Sequence, residues 1–284
     1  MKIVVFGDSF SAGAELTDET EVPNWPGYFD GPPHLRTQQS QTEVEKWQSK
    51  YWFPWLREQY GDPDLMAAMV AKEKSLTYAN KIAEILNWTI NNHANSGSSM
   101  YNITRNIIEK RFANNFKDSI IFYQPTSIDR FCQYIDGGWT DIVFSNIKNH
   151  TVQGIEFHNF CKSKISFENT YSLCIDWYKE FYSSLSLLQT SNCQAWYIID
   201  VGFINLMDMS IREYHNKQHL SELMRYRMDL ELLRPRFLNL GRSVQLLNAE
   251  GFTLTHCARG HFSPRVHDHF AEVVVNRLKT DNLL

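Results

Sequence analysis

The chain has 284 residues, of which 43% are hydrophobic and 21% charged, an ordinary balance for one large globular domain or two small ones. Its net charge of −4 and pI near 6.2 give no basic face for nucleic acid. The apolar N-terminal run MKIVVF is too short for a signal peptide, and no apolar stretch elsewhere reaches membrane-spanning length. The five cysteines are odd in number and lack CxxC spacing, which favours reduced thiols. We therefore expect a cytoplasmic protein with no membrane span.

The chain opens with a continuous apolar run at residues 2–6 (KIVVF), followed by GDSFSAG at residues 7–13. This pattern predicts a buried strand that ends in a functional turn. Residues 14–64 then hold six of the nine prolines and many aromatic residues, with little periodicity. Proline at these spacings prevents regular elements. We interpret about 14–74 as a large insertion and a candidate lid or cap over a binding cleft.

Periodic segments resume near Ser75, which we expect to cap a helix, and apolar runs alternate with helical patterns to the C-terminus. Residues 131–170 show no periodicity and are interpreted as a second large, irregular insertion and a further candidate lid or cap. The expected elements are a helix from Ser75 to Leu86, a strand at 88–93, a helix from Met100 to Arg111, a strand at 119–124, a helix at 171–189, a strand at 194–201, a helix at 218–239, a strand at 243–247 and a closing helix.

The closing helix has the clearest boundary signals. Ser263 is the expected N-cap and Pro264 the first helical residue. The predicted buried stripe of this helix comprises Val266, Phe270, Val273 and Leu278.

Alternating strands and helices predict an α/β fold in three α/β/α layers, with a central parallel sheet of about five strands. One domain over residues 1–284, carrying the two insertions, is the simplest organisation. In such folds the functional residues collect at the carboxyl ends of the strands.

Three segments in this chain resemble the signature blocks of the SGNH/GDSL hydrolase family. Gly7-Asp8-Ser9 after the first strand is similar to the first block, and Asn95-Ser96-Gly97 to the second. His261, followed by a helix that begins at Pro264 and carries His267, is similar to the last. The resemblance implies an SGNH-like fold with Ser9 as the nucleophile.

A serine hydroxyl is a weak nucleophile and requires a base within hydrogen-bond reach. His261 is the candidate, since an imidazole with a pKa near ~6.5 can accept the proton and return it. The resemblance implies that the backbone N–H groups of Ser9 and Gly97 stabilise the oxyanion. Gly97 suits that role because a residue without Cβ allows a carbonyl to approach the backbone.

The chain departs from the family pattern at two positions. The third block normally contains an Asn that donates to the oxyanion, but residues 124–130 (QPTSIDR) contain none, so Thr126 or Ser127 is the candidate replacement. Ala258 stands where the family has an Asp three residues before the catalytic His. Either a backbone carbonyl orients His261, giving a Ser–His dyad, or a carboxylate arrives from elsewhere; both alternatives stay open.

The polar residues near these blocks could either support the structure or line the substrate cleft. Asp8 either braces the turn, which we favour, or lines the substrate cleft together with Asn95, Arg130 and His267. The histidines near the C-terminus do not predict a metal site, because His267 and His269 are two apart on a helix and face different sides. We expect no metal and no cofactor.

The resemblance implies ester hydrolysis but no defined substrate. We expect an O-acyl ester, acetyl or short-chain, of a small molecule or a glycan, hydrolysed through an acyl-enzyme on Ser9. Two alternatives use the same residues: an SGNH-like binding module that has lost activity, and an acyltransferase. The sequence does not indicate an oligomeric state.

Overall fold

The computed structural model describes residues 1–12, 71–95, 97–114, 116–126, 130–135, 138–143, 170–201, 232–240, 262 and 264–284. Seven strands are described: Lys2–Phe6 (β1), Thr89–Asn92 (β2), Ser119–Tyr123 (β3), Arg130–Ile135 (β4), Gly138–Val143 (β5), Ala195–Asp200 (β6) and Phe237–Asn239 (β7). The described α-helices are Ser9–Ala12 (α1), Tyr78–Leu86 (α2), Met100–Asn114 (α3), Thr170–Gln189 (α4) and Pro264–Thr280 (α5).

The central sheet has five strands in the order β2-β1-β3-β6-β7. β1 pairs with β3, β3 with β6 and β6 with β7, all in parallel, and the register places Val4 opposite Ile121 and Ile121 opposite Trp196. Every residue of β3 and β6 is buried, as expected for strands of a parallel sheet that is covered on both faces. The predicted α/β fold with a central parallel sheet of about five strands and flanking helices is confirmed.

The chain divides into two compact units, one formed by Met1–Asp8 with His93–Asn239 and the other by Ser9–Asn92 with Leu240–Leu284. In the first unit, alternate side chains of β1, β3 and β6 share a hydrophobic core with α3 and α4. The indole of Trp177 stacks on Phe181 within this core, with ring centroids 4.9 Å apart. A buried hydrogen bond of 2.9 Å between the hydroxyls of Thr104 and Ser184 also joins α3 to α4. The organisation as a single domain stays a prediction.

The second unit is built on the packing of α2 against α5. The N-cap of α2 is Thr77, whose hydroxyl accepts from the backbone N–H of Asn80 at 3.4 Å, so the assignment of Ser75 as the cap is wrong by two residues. The start of α5 at Pro264 agrees with the prediction. In its buried stripe, however, Val273 is 37% exposed and Val274 is fully buried, because α5 buries residues at steps of four from Val266.

The second predicted insertion contains regular structure that we did not expect. β4 and β5 form an antiparallel hairpin in which Ile135 pairs with Gly138. Asp136-Gly137 stands between them in the sequence, and Asp-Gly is a strong signal for a two-residue hairpin turn. The prediction of an irregular 131–170 is therefore wrong for residues 131–135 and 138–143. Residues 14–70 and 144–169 of the two insertions lie outside the described residues.

The fifth strand of the described sheet falls within a segment that was predicted to be helical. The expected helix at 218–239 does not reach its predicted end: Arg234–Arg236 form a 3₁₀ turn and Phe237–Asn239 form β7. Pro235 explains the error, since proline disrupts an α-helix interior and is tolerated in the first turn of a helix. Residues 218–231 and the expected strand at 243–247 lie outside the described residues.

Gly7 connects β1 to the candidate site, and the space at its Cα is filled by Gln124. A Cβ on Gly7 would lie 2.7 Å from the Cβ of Gln124. We expect Gly7→Ala to lower the free energy of unfolding by about 1–3 kcal/mol, because neither Cβ belongs to a flexible chain end that can move away.

Gly97→Ala is the contrasting variant for this measurement by urea unfolding. Gly97 has a φ of +84°, and an added Cβ meets no described heavy atom within 4 Å. Its expected cost is about 1–2 kcal/mol and comes from backbone conformation alone. A Gly7→Ala protein that unfolds at the same urea concentration as the wild type would contradict the close packing at Gly7.

Candidate active site

The carboxyl ends of β1 and β3 lie side by side in the first unit. The backbone N–H of Gln124 donates to the carbonyl of Phe6 at 2.8 Å, and that of Asn95 donates to the carbonyl of Gly7 at 3.1 Å. These bonds extend the pairing beyond the strands themselves. They bring the segments that resemble the first and second family blocks, and the segment at the position of the third block, to one edge of the sheet.

Asp8 is the centre of this edge. Its side chain is 1% exposed, and its carboxylate accepts hydrogen bonds from the backbone N–H of Gly97 at 3.1 Å and the hydroxyl of Thr126 at 2.8 Å. The guanidinium of Arg130 forms an ion pair with the same carboxylate. Burying a carboxylate is costly unless it is paired and hydrogen-bonded, and Asp8 has both kinds of partner. The carboxylate thus joins three other segments of the chain.

Two groups predicted as oxyanion donors have Asp8 as their partner in this structure. The hydroxyl of Thr126 has a single hydrogen and donates it to Asp8, and the N–H of Gly97 also points to that carboxylate. For either group to stabilise an oxyanion, its bond to Asp8 has to be lengthened or shared. Their role in an oxyanion hole stays a prediction.

Thr126 is held firmly around its backbone as well. Its carbonyl accepts from the indole N–H of Trp177 at 2.6 Å, and its N–H faces the sulfur of Met100 at 3.4 Å. The residue is fully buried. The contacts thus fix Thr126 as a support for Asp8.

The β4–β5 hairpin is attached to this edge at two points. Arg130, its first residue, pairs with Asp8. Asp141, in β5, accepts from the backbone N–H of Ser99 at 2.9 Å and from the side-chain amide of Asn102 at 2.7 Å. Ser99 directly precedes α3, so Asp141 satisfies a free N–H at the helix N-terminus, where a carboxylate is favoured. Asp141 was not among the predicted site residues, although the Asp-Gly hairpin signal nearby could have located it on a strand.

Cys132 lies opposite Asp141 in the hairpin and is a free thiol. Burial, and then the nearby Asp141 carboxylate, raise the pKa of the Cys132 thiol to about 11. Burial likewise raises the pKa of Cys174 to about 11. At neutral pH both side chains are protonated and therefore poor nucleophiles.

In the second unit, the turn that follows Asp8 is the four-residue helix α1. The ring of Phe10 stacks against those of Tyr78, at 5.3 Å, and His267, at 4.3 Å. The hydroxyl of Ser11 lies 3.0 Å from that of Tyr78. The side-chain amide of Asn92 donates to the carbonyl of Ser11 at 2.8 Å. Side chains from α2, β2 and α5 therefore hold the helix that Ser9 begins.

His267 belongs to this group. It is 2% exposed, and its Nδ1 accepts the backbone N–H of Tyr78 at 3.1 Å. Such a buried ring offers almost no surface to a substrate, so the arrangement favours a structural function over the predicted lining of a cleft. Asn95, by contrast, is exposed, whereas the side chain of Arg130 is 18% exposed and paired.

The predicted catalytic pair is only partly covered by the structure. Ser9 is placed as the first residue of α1, without a description of its side chain. His261 and Ser127 lie outside the described residues.

Within the described ranges, no three His, Cys, Asp or Glu side chains are grouped so that they could hold a metal ion. None of the described helices is both long and apolar enough to cross a membrane.

No protein-family model and no curated protein matches this chain. Among solved structures, the chain is similar to a member of the lipolytic protein G-D-S-L family from Veillonella parvula DSM 2008, with 13% identity and a TM-score of 0.42 over 97% of both chains. It is also similar to a candidate lipolytic protein of the G-D-S-L family from Desulfitobacterium hafniense DCB-2. That match has 9% identity and a TM-score of 0.42, and covers 98% of this chain and 99% of the other. Similarity at this level does not assign an activity to the chain.

The contacts of Asp8 give a stability prediction. We expect Asp8→Asn to lower the free energy of unfolding by about 3 kcal/mol, because it leaves the partly buried guanidinium of Arg130 without its counter-charge. The added amide also turns a donor toward groups that are themselves donors. Urea unfolding at pH 7 measures the loss.

Asp176→Asn is the matched control for this measurement. Asp176 pairs with Lys179 at 3.3 Å, and both side chains are about two-thirds exposed. Its loss should change the free energy of unfolding by about 0.5 kcal/mol or less. Equal effects of the two substitutions would show that Asp8 does not have the structural role described above.

Proposed function

We propose that the chain is a serine hydrolase of the SGNH/GDSL type, which cleaves an O-acyl ester through an acyl-enzyme on Ser9. The observation that carries the proposal is the placement of Gly7-Asp8-Ser9 directly after β1, with Asp8 bonded to Gly97 and Thr126. The segments that resemble the first and second family blocks, and the segment at the position of the third block, are thus joined through one side chain. Chance Gly-Asp-Ser tripeptides have no reason to show this connection.

The proposed reaction has two halves. His261 accepts the hydroxyl proton of Ser9 as the serine oxygen bonds to the ester carbonyl carbon, and the carbonyl becomes a tetrahedral oxyanion. His261 then gives the proton to the departing alkoxide, the carbon–oxygen bond of the ester breaks, and an acyl-Ser9 remains. Water repeats the sequence, releasing the acid and restoring the Ser9 hydroxyl.

The oxyanion in both halves requires positioned donors. We assign the backbone N–H groups of Ser9 and Gly97, since the positive φ of Gly97 turns its amide in a way that few other residues allow. The Gly97 N–H now donates to Asp8 and would be shared with the oxyanion.

The proposed substrate is an acetyl or short-chain ester of a small molecule or a glycan, and the proposed location is the cytoplasm.

One observation favours a second candidate, a binding module with weak or no activity. Both Gly97 and Thr126 donate to Asp8, so neither predicted donor is free for an oxyanion without a rearrangement. Loss of one oxyanion donor lowers the rate about 100- to 1000-fold in other enzymes. The same residues would serve an acyltransferase, which differs in the product formed when a hydroxyl acceptor is supplied.

Covalent labelling with a fluorophosphonate separates the enzyme from the binding module. We expect stoichiometric labelling of the wild-type protein and none of Ser9→Ala, since the probe reacts with an activated serine. His261→Ala should slow the labelling by about 100-fold or more, because the general base is lost.

Ser183→Ala is the control, because Ser183 is an exposed serine on α4 whose hydroxyl donates to the carbonyl of Lys179. It should label at the wild-type rate. A wild-type protein that stays unlabelled, or a Ser9→Ala protein that labels as well as the wild type, would overturn the proposed function.

A further inference from the structure

We propose that His267 is a positioning residue for the nucleophile: it fixes the orientation of α1 through Phe10 and Tyr78. This inference rests on the proposed function, since it takes Ser9 as the nucleophile. His267 has no direct part in the reaction, and its effect reaches Ser9 through the two aromatic side chains that hold the helix.

The first link is the stacked contact between His267 and Phe10. The ring centroids are 4.3 Å apart and the planes are inclined by 26°. Phe10 is the residue that directly follows Ser9, and it is only 5% exposed. Phe270, on the same helix as His267, contacts Phe10 at 5.9 Å. The side chain next to the nucleophile is therefore packed against α5.

The second link runs through the N-terminus of α2. Tyr78 is the first residue of α2, and its backbone N–H is one of those that no helical carbonyl can accept. The Nδ1 of His267 accepts it at 3.1 Å. An imidazole nitrogen accepts only without a proton, so the ring is neutral with its hydrogen on Nε2. His267 therefore fixes where α2 begins, and with it the side chain of Tyr78.

The third link returns to α1. The hydroxyl of Tyr78 bonds that of Ser11 at 3.0 Å, and the Tyr78 ring stacks on Phe10 with planes inclined by 12°. Tyr78 and His267 therefore both contact the ring of Phe10, and their own ring centroids lie 6.2 Å apart. Tyr78 is fully buried, so its hydroxyl cannot exchange Ser11 for bulk water at low cost.

The shortness of α1 makes these contacts necessary. Four residues form a single turn, which has no independent stability as a helix. The direction of α1 is therefore set by what its side chains and its last carbonyls contact. A displacement of about 1 Å in a reacting group can reduce a rate about 100-fold. Loss of these contacts around α1 should therefore lower the rate of the reaction at Ser9 more than it weakens the binding of a substrate.

Two substitutions of His267 separate the effect of its ring stacking from the effect of its hydrogen-bond acceptor. His267→Phe keeps a ring to stack on Phe10 but leaves the N–H of Tyr78 without an acceptor. His267→Asn loses the ring, but its side-chain oxygen stands close to where Nδ1 was. Tyr78→Phe removes one oxygen, keeps the ring, and breaks the hydroxyl bond to Ser11.

The experiment measures the rate of fluorophosphonate labelling at Ser9, together with kcat and KM for p-nitrophenyl acetate and urea unfolding. We expect His267→Phe to label and turn over about 10- to 100-fold more slowly, with KM within about threefold of the wild type. His267→Asn, which keeps an acceptor but loses the ring that stacks on Phe10, should recover part of the loss, and Tyr78→Phe should slow labelling about tenfold. His269→Asn, two residues further along α5, is the control and should label at the wild-type rate.

The outcomes separate this inference from the proposed function. A wild-type protein that does not label refutes the proposed function. If the wild type labels but Tyr78→Phe and the folded His267 variants label at its rate, the inference is overturned, even if their stability falls. If His267→Phe does not fold, Tyr78→Phe decides alone: normal labelling overturns the inference, and slowed labelling with unchanged KM supports it.

Discussion

The structure around the candidate site depends on one buried carboxylate. Asp8 has to be stabilised because a charge that is removed from water without partners costs several kcal/mol, of order ~5 or more. The chain supplies an amide, a hydroxyl and a guanidinium from three different segments. Each donor fixes its own segment, so the cost of burying a single side chain determines the arrangement of the ends of β1 and β3 and the start of β4.

Ser9 lies between Asp8 and Phe10 in the sequence, and the side chains of these two residues are held by different interactions. Asp8 is fixed by charge-assisted hydrogen bonds, which are directional and strong. Phe10 is fixed by stacked aromatic rings, and Ser11 by a hydroxyl pair and the amide of Asn92. The proposed nucleophile therefore stands in the sequence between two residues whose side chains are held, and an enzyme needs its nucleophile positioned before the substrate arrives.

Much of the sheet could be predicted from the sequence, because buried parallel strands leave a strong signal. KIVVF and SIIFY are continuous apolar runs, and both are strands of the central sheet. The three residues of β7 carry no such signal. Pro235, just before them, lies inside the segment 218–239 that was predicted to be a helix. The hairpin was missed because the aromatic and polar residues of β4 and β5 do not alternate regularly, although Asp136-Gly137 between them is a turn signal.

In the candidate site, too, some features could be predicted from the sequence and others could not. The order of its blocks along the chain could be predicted, but the partners of each side chain could not, because hydrogen bonds between distant segments depend on the fold. Thr126 illustrates this point: its hydroxyl looked available for an oxyanion, yet it donates to Asp8. The cap that His267 supplies to Tyr78, 189 residues away in sequence, has no local signal either.

The claim that Ser9 forms an acyl-enzyme is tested most directly by trapping it. The wild-type protein is mixed with p-nitrophenyl acetate, stopped with acid within the first turnovers, digested, and examined by mass spectrometry. The account predicts one acetyl group on the peptide that contains Ser9, and none on that peptide after the ester has been exhausted. Turnover that proceeds with no acetyl on Ser9, or with the acetyl on another side chain, would contradict it.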